Sequence, residues 1–236
     1  MSDQIKSIFF TVTIALVCSL LLTGAATGLK ERKLRNVAVD RQKNILKSVG
    51  LFDSDQQATV AQIEQLYQAS IRCDAMDGAG RIVPGDSGAE ELPVCFYVKD
   101  NQPAAYILPV DSRGLWGRIR GYMAIQRDGK TVAGFSVYSH NETPGLGGEI
   151  EKPWFQDNFV GKRIVDETGA FAAVGIAKGK VADTIAADRQ ANYVDGISGA
   201  TLTGKFLTGG LEEVLLDYEP LSEQFRSGSV SLPAGG

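Results

Sequence analysis

Histidine and cysteine are scarce in this chain of 236 residues, which has one histidine, His140, and three cysteines, Cys18, Cys73 and Cys95. So small a supply of nitrogen and sulfur ligands argues against a zinc site, and no metal is expected. A nucleophile-elbow pattern is missing too, and with it the usual sign of a Ser-His-Asp hydrolase. His140 by itself reads as a strand-end residue that packs or hydrogen-bonds. Basic charge is also in short supply, with 24 Lys and Arg against 28 Asp and Glu. Residues 1–35 hold five of the bases and two of the acids, which leaves −7 on the remainder. A body that acidic is a poor partner for nucleic acid, whose binding rests on neutralised phosphates. Cys73 and Cys95 are either a disulfide or two ordinary thiols, and their spacing leaves both readings open.

Long apolar runs are few, and the one that stands out is Ile8 to Leu29, 22 residues without a charge. As a helix at roughly 1.5 Å per residue it covers about 33 Å, enough to span a bilayer. A cleaved signal peptide is the rival, since Lys6 precedes the run and Gly24-Ala25-Ala26 offers small residues for cleavage. The length of the run favours a retained transmembrane helix. Val17 before Cys18 argues against a lipoprotein signal. Gly24 and Gly28, four apart, allow close approach of another helix. The bases after Leu29 alone would keep the C-terminal part of the chain cytoplasmic, yet long domains translocate largely regardless of flanking charge.

Beyond the anchor, residues 36–49 and 59–71 have helical spacing, with Ile45, Leu46, Val60, Ile63, Leu66 and Tyr67 on the apolar face. Gly50 and Asp53-Ser54 punctuate between them, and residues 74–90, rich in Gly and Asp, read as loop. Residues 94–98 and 104–110 read as strands. Residues 118–126 and 131–139 alternate around Asp128-Gly129, a strong hairpin signal. Residues 172–177 predict another strand and residues 202–216 a long helix. Strands grouped between helices predict an α+β fold rather than a regular βαβ alternation.

Two glycine-bearing segments could carry chemistry. Residues 140–149 hold three glycines and a proline, so the backbone there can approach another group closely. Asp195-Gly196-Ile197-Ser198-Gly199-Ala200-Thr201 precedes the long helix. Thr201 is there either a plain N-cap or a hydroxyl at a helix N-terminus, where a phosphate is welcome.

Ser198-Gly199-Ala200-Thr201, with Asp195 three residues before the serine, resembles the flavinylation motif of bacterial FMN-binding domains. Glu142-Thr143-Pro144-Gly145-Leu146-Gly147 resembles the second signature of that family, which packs along the flavin ring. Gly114-Leu115-Trp116-Gly117, Gly147-Gly148-Glu149 and Asp40-Arg41-Gln42-Lys43-Asn44-Ile45-Leu46 are similar to stretches in the C subunits of Na⁺-translocating NADH:quinone oxidoreductases. The likeness covers nearly the whole chain and is weakest over 72–90 and after Arg226.

The resemblance implies a transmembrane helix followed by an FMN-binding domain with a mainly antiparallel sheet flanked by helices. It divides the chain into an anchor at 1–35 (span about 8–29), a helical part at 36–90, the FMN-binding domain at 91–226 and a flexible tail at 227–236. FMN would be joined through its phosphate to Thr201 by a flavin transferase, in the periplasm, beside the other subunits of a membrane oxidoreductase. Electrons would pass onward to the membrane flavin of a neighbouring subunit. Ser198, Gly199 and Ala200 would shape the turn, with Leu202 and Thr203 near the phosphate. Thr143 and the Gly145–Gly147 backbone would face the polar edge of the flavin, with Glu142 also among the cofactor-binding residues. Leu146 and Trp116 would cover its faces, although Trp116 reads equally as core. Lys178 is either a balancing cation or a plain exposed lysine. Asp195 would serve turn geometry or transferase recognition, because a carboxylate repels phosphate. No catalytic acid–base pair is expected, since the redox chemistry belongs to the cofactor. The rival readings are the homologous subunit of an Rnf-type ferredoxin oxidoreductase and a cofactor-free membrane scaffold.

Overall fold

The computed structural model describes residues 3–53, 57–85, 88 and 91–230. Ser54 and parts of the 74–90 and 227–236 segments therefore lie outside the described residues. The chain forms two compact units, Met1–Asp40 and Arg41–Gly236. The first is helical throughout its described part, as the start of α1 (Asp3–Ser48), and its apolar side chains up to Ala38 are exposed. Among the described residues α1 is the one helix long and apolar enough to cross a membrane. The separate helix expected over 36–49 is the end of α1. The cause is local: Lys30-Glu31-Arg32-Lys33-Leu34-Arg35 are good helix formers with no Gly or Pro to stop them.

In the second unit, the last turns of α1 bury Asn44, Ile45, Leu46 and Ser48. Helix α2 (Val60–Ser70) starts at a capping box between Thr59 and Gln62 and buries Ile63. Val60, expected on the buried face, is exposed because it is the first helical residue and precedes the turn that packs. Ile71, expected to end this helix, is already extended, with φ −117° and ψ 131°.

It opens a sheet of β1 (Ile71–Met76), β2 (Ile82–Val83), β3 (Leu92–Lys99), β4 (Gln102–Arg113), β5 (Arg118–Gln126) and β6 (Val132–Ser139). Their order is β2-β1-β3-β4-β5-β6, and each neighbouring pair is antiparallel. Residues 74–76 and 82–83 are thus strand, not loop. Pairing with β3 supplies what the composition of the segment hid: Cys73 lies opposite Cys95 and is disulfide-bonded to it. Asp74 is buried against the Arg72 guanidinium at 2.9 Å.

The β3–β4 turn is Asp100-Asn101, both at positive φ (52° and 61°), the geometry of a two-residue primed turn. The turn at Asp128-Gly129 is longer than its sequence suggests. Gln126 N–H donates to Thr131 O, and the Asp128 carboxylate accepts from the N–H groups of Lys130 and Thr131 and from the Thr131 hydroxyl.

After β6 come a 3-10 turn (Gly147–Glu151) and the short helix α3 (Pro153–Gln156). Next are β7 (Gly175–Ile176), α4 (Val181–Thr184), β8 (Tyr193–Val194), α5 (Thr201–Asp217) and α6 (Glu219–Ser227). The strand expected at 172–177 shrinks to β7, because Ala173 takes φ +52° and breaks the extended run. β7 pairs in parallel with β8, apart from the main sheet. Helix α5 buries Thr203, Leu207, Leu211 and Leu215, one per turn. It lies so close to β4 that a Cβ on Gly210 would fall 2.1 Å from Ser112 Oγ. Phe225 of α6 stacks on Tyr106 of β4 with ring centroids 4.6 Å apart. The fold is α+β, a mainly antiparallel sheet flanked by helices. Arg113 pairs with Arg118 and Arg120 with Ser139, so the β4–β5 turn and the end of β6 share one end of the sheet.

Candidate functional site

Three segments meet at that end: residues 114–117, residues 140–148 and the start of α5. Glu142 joins them. Its side chain is 4% exposed, one carboxylate oxygen accepts from the Trp116 N–H (3.0 Å) and the other from the Thr203 hydroxyl. Gly147 closes the joint, since a Cβ there would lie 2.6 Å from Thr203 Oγ1 and 2.8 Å from Glu142 Oε2. His140 supports it from behind. Its Nδ1 accepts from the Glu142 N–H at 3.1 Å, so the ring proton sits on Nε2, 3.2 Å from Glu151 Oε2. This is the hydrogen-bonding role expected of a strand-end histidine. Lys152, and after it His140, holds the Glu151 carboxyl below its ordinary pKa.

The two glycine-bearing loops touch. Gly199 has φ +75°, and a Cβ on it would meet Leu146 Cδ2 at 2.8 Å. Beside this contact opens a cleft of about 350 Å³, lined by Leu115, Trp116, Glu142, Thr143, Leu146, Gly147 and residues 199–203. That volume lies in the range of small-molecule sites, about 300–1,000 Å³. Leu115, Trp116, Leu146 and Leu202 are all large, apolar and exposed around it. Trp116, at 68% exposure, is therefore not core.

Thr201 is not an N-cap either. Ala200 holds that position without a side-chain bond, and Thr201 is the first helical residue, exposed, its hydroxyl unbonded among the described residues. The N–H groups of Thr201, Leu202 and Thr203 likewise have no protein acceptor there. Thr203 was expected beside a phosphate, yet its hydroxyl is committed to Glu142. The Leu146 N–H donates to Thr143 O at 3.1 Å, so that group does not face the cleft as a free donor.

Gly145, Lys178, Asp195 and Ser198 are not among the lining residues. Gly145 makes the turn at φ +74°. Ser198 and Lys178 are exposed. Asp195 Oδ1 accepts from the Val181 N–H at 2.7 Å, which ties the motif loop to the first turn of α4 and fits the turn-geometry reading. Leu115 is a wall residue that sequence reasoning did not nominate. Its signal was present, a large apolar residue between Gly114 and Trp116 in a tight turn.

The sequence pattern of the FMN-binding domain matches residues 114–216, the stretch that contributes every lining residue. The C subunit of the Na⁺-translocating NADH-quinone reductase of Yersinia pestis is 33% identical over 95% of this chain and 94% of its own length. The corresponding protein of Neisseria meningitidis (serogroup A) is 33% identical, covering 86% of each chain. The crystal structure of the C subunit from Parabacteroides distasonis superposes with a TM-score of 0.70 at 30% identity, over 82% of this chain and 96% of that one. NqrC of Shewanella oneidensis, at 22% identity and a TM-score of 0.66, shares the fold over 83% of this chain and 99% of its own. With this likeness end to end, the chain belongs to the C-subunit family of Na⁺-translocating NADH-quinone reductases.

Proposed function

We propose that the chain is the electron-carrying C subunit of a membrane-bound, Na⁺-pumping NADH:ubiquinone reductase and holds FMN by a phosphoester to Thr201. The observation that carries this reading is the unbonded, exposed Thr201 hydroxyl at the rim of an apolar cleft. FMN supplies one- and two-electron redox chemistry when bound.

The residues present fit that group. Three N–H groups without protein acceptors at the start of α5 suit a phosphate ester, and the helix dipole adds to them. Leu115, Trp116, Leu146 and Leu202 offer apolar walls to a flat aromatic ring, and Thr143 and Gly147 offer polar contacts at its edge. Glu142 keeps the 114–117 turn, the 140–148 loop and α5 in one arrangement. Gly199 and Ala200 shape the wall beside the tether, with Ser198 before them. Asp195 anchors the motif loop and is a candidate contact for the transferase.

α1 serves as the anchor in the inner membrane, with the soluble domain in the periplasm, where the transferase and the other subunits meet it. The named relatives, quinone-reductase subunits at 33% identity over most of the chain, favour this reading over the Rnf-type one. A cofactor-free scaffold gives no reason for an apolar cleft beside an unbonded hydroxyl.

Denaturing electrophoresis under ultraviolet light tests the tether. Protein co-expressed with the flavin transferase should give a fluorescent band that survives denaturation. Thr201→Ala should abolish the band while shifting stability by less than about 0.5 kcal/mol, since no cap is lost. A band retained in Thr201→Ala would put the tether elsewhere.

A further inference from the structure

We infer that Lys205 is the cation that pairs with the phosphate at Thr201, an inference that rests on the tether just proposed. Lys205 lies four residues after Thr201 in α5, and both side chains are exposed. Positions i and i+4 sit about 5–6 Å apart at Cβ on one helix face. Helical side chains also lean toward the N-terminus, so the Lys205 stem runs back over the turn that carries Thr201.

The charges of α5 run against its dipole. Its first turn holds no acid and its last turn no base, while Glu212, Glu213 and Asp217 crowd the C-terminal half. Lys205, the single base of this 17-residue helix, sits in the second turn near the positive end. A cation there is unfavourable in the bare helix, because helix dipoles favour cations at the C-terminus. An anion at Thr201 reverses that sign.

The arginines of β4 and β5 are engaged elsewhere. The Arg113 guanidinium lies 5.1 Å over the Phe206 ring, and Arg118 and Arg120 both reach the Asp111 carboxylate. Lys205 makes no ion pair among the described residues. Lys178, to which sequence reasoning offered the balancing role, is also exposed and also makes no ion pair among the described residues. It lies outside α5, however, whereas Lys205 stands one turn from Thr201 on the same helix.

A thermal cycle on the full-length chain in detergent tests the pairing. Wild type, Lys205→Gln, Lys205→Glu and Lys178→Gln are each melted with flavin attached and in the Thr201→Ala background. Lys205→Glu should lower the Tm of flavin-bearing protein by about 2–4 °C and Lys205→Gln by about half that, with the loss shrinking in high salt. In the Thr201→Ala background neither should lower it, and Lys178→Gln should be neutral in both. The ³¹P resonance of the tethered phosphate should also move in Lys205→Gln. A fluorescent wild-type band with no flavin-specific loss at Lys205, or with that loss at Lys178, overturns the pairing alone. Absence of the wild-type band overturns the tether and the pairing with it.

Discussion

Glu142 carries the tension of the site in a single side chain. It is buried with no cation beside it among the described residues, a costly placement that two hydrogen-bond donors offset. Glu142→Ala leaves the Trp116 N–H and the Thr203 hydroxyl without their acceptor. That should cost about 2–4 kcal/mol in urea denaturation and reduce flavin incorporation. Glu142→Gln keeps an acceptor for one partner and should fall between. A Glu142→Ala midpoint equal to wild type would show the network to be dispensable. Glu142 was legible as part of Glu-Thr-Pro-Gly-Leu-Gly, but its partners were not, because Thr203 is 61 residues away in the chain. A similar separation from Thr203 hid why residue 147 is glycine.

Among the elements, the β5–β6 hairpin shows most directly how a short segment sets its own geometry. Asp128 accepts three hydrogen bonds from within its turn, and Asp128→Ala should cost about 1–2 kcal/mol. Burial pushes the Asp128 pKa up, but the Thr131 hydroxyl, the two N–H groups and the Lys130 charge together hold it below the ordinary value. A depressed folded pKa means stability that is complete above the unfolded value, about 3.9, and lost as pH falls through the folded one. The gap between wild type and Asp128→Ala should therefore narrow between pH 6 and pH 3. A gap that widens on acidification would reverse the sign. Strand alternation made β5 and β6 readable to within a residue. β1, β2 and the β7–β8 pair were not, since β2, β7 and β8 are two residues long and β1 is strand by virtue of β3 beside it.

At the scale of the molecule, residues 3–38 contribute no buried side chain, and burial in α1 begins with Asn44. A chain starting at residue 36 should then be soluble without detergent, and its Tm should lie within about 2 °C of the full-length protein, equivalent to less than roughly 1 kcal/mol. A drop several times larger would assign residues 1–35 a share in the fold. Local pattern in the sequence was sufficient for the apolar helix, the alternating strands and the periodic face of α5, because each depends on neighbours within a few residues. The flavin motifs were legible by resemblance, since their glycines and threonine are contiguous. Tertiary structure alone decided that Trp116 is exposed rather than core, that Thr201 is free rather than a cap, and that Gly199 rests on Leu146. Those facts depend on which surfaces meet when the sheet end and the start of α5 close around one cleft, and no local pattern encodes a contact between segments more than fifty residues apart.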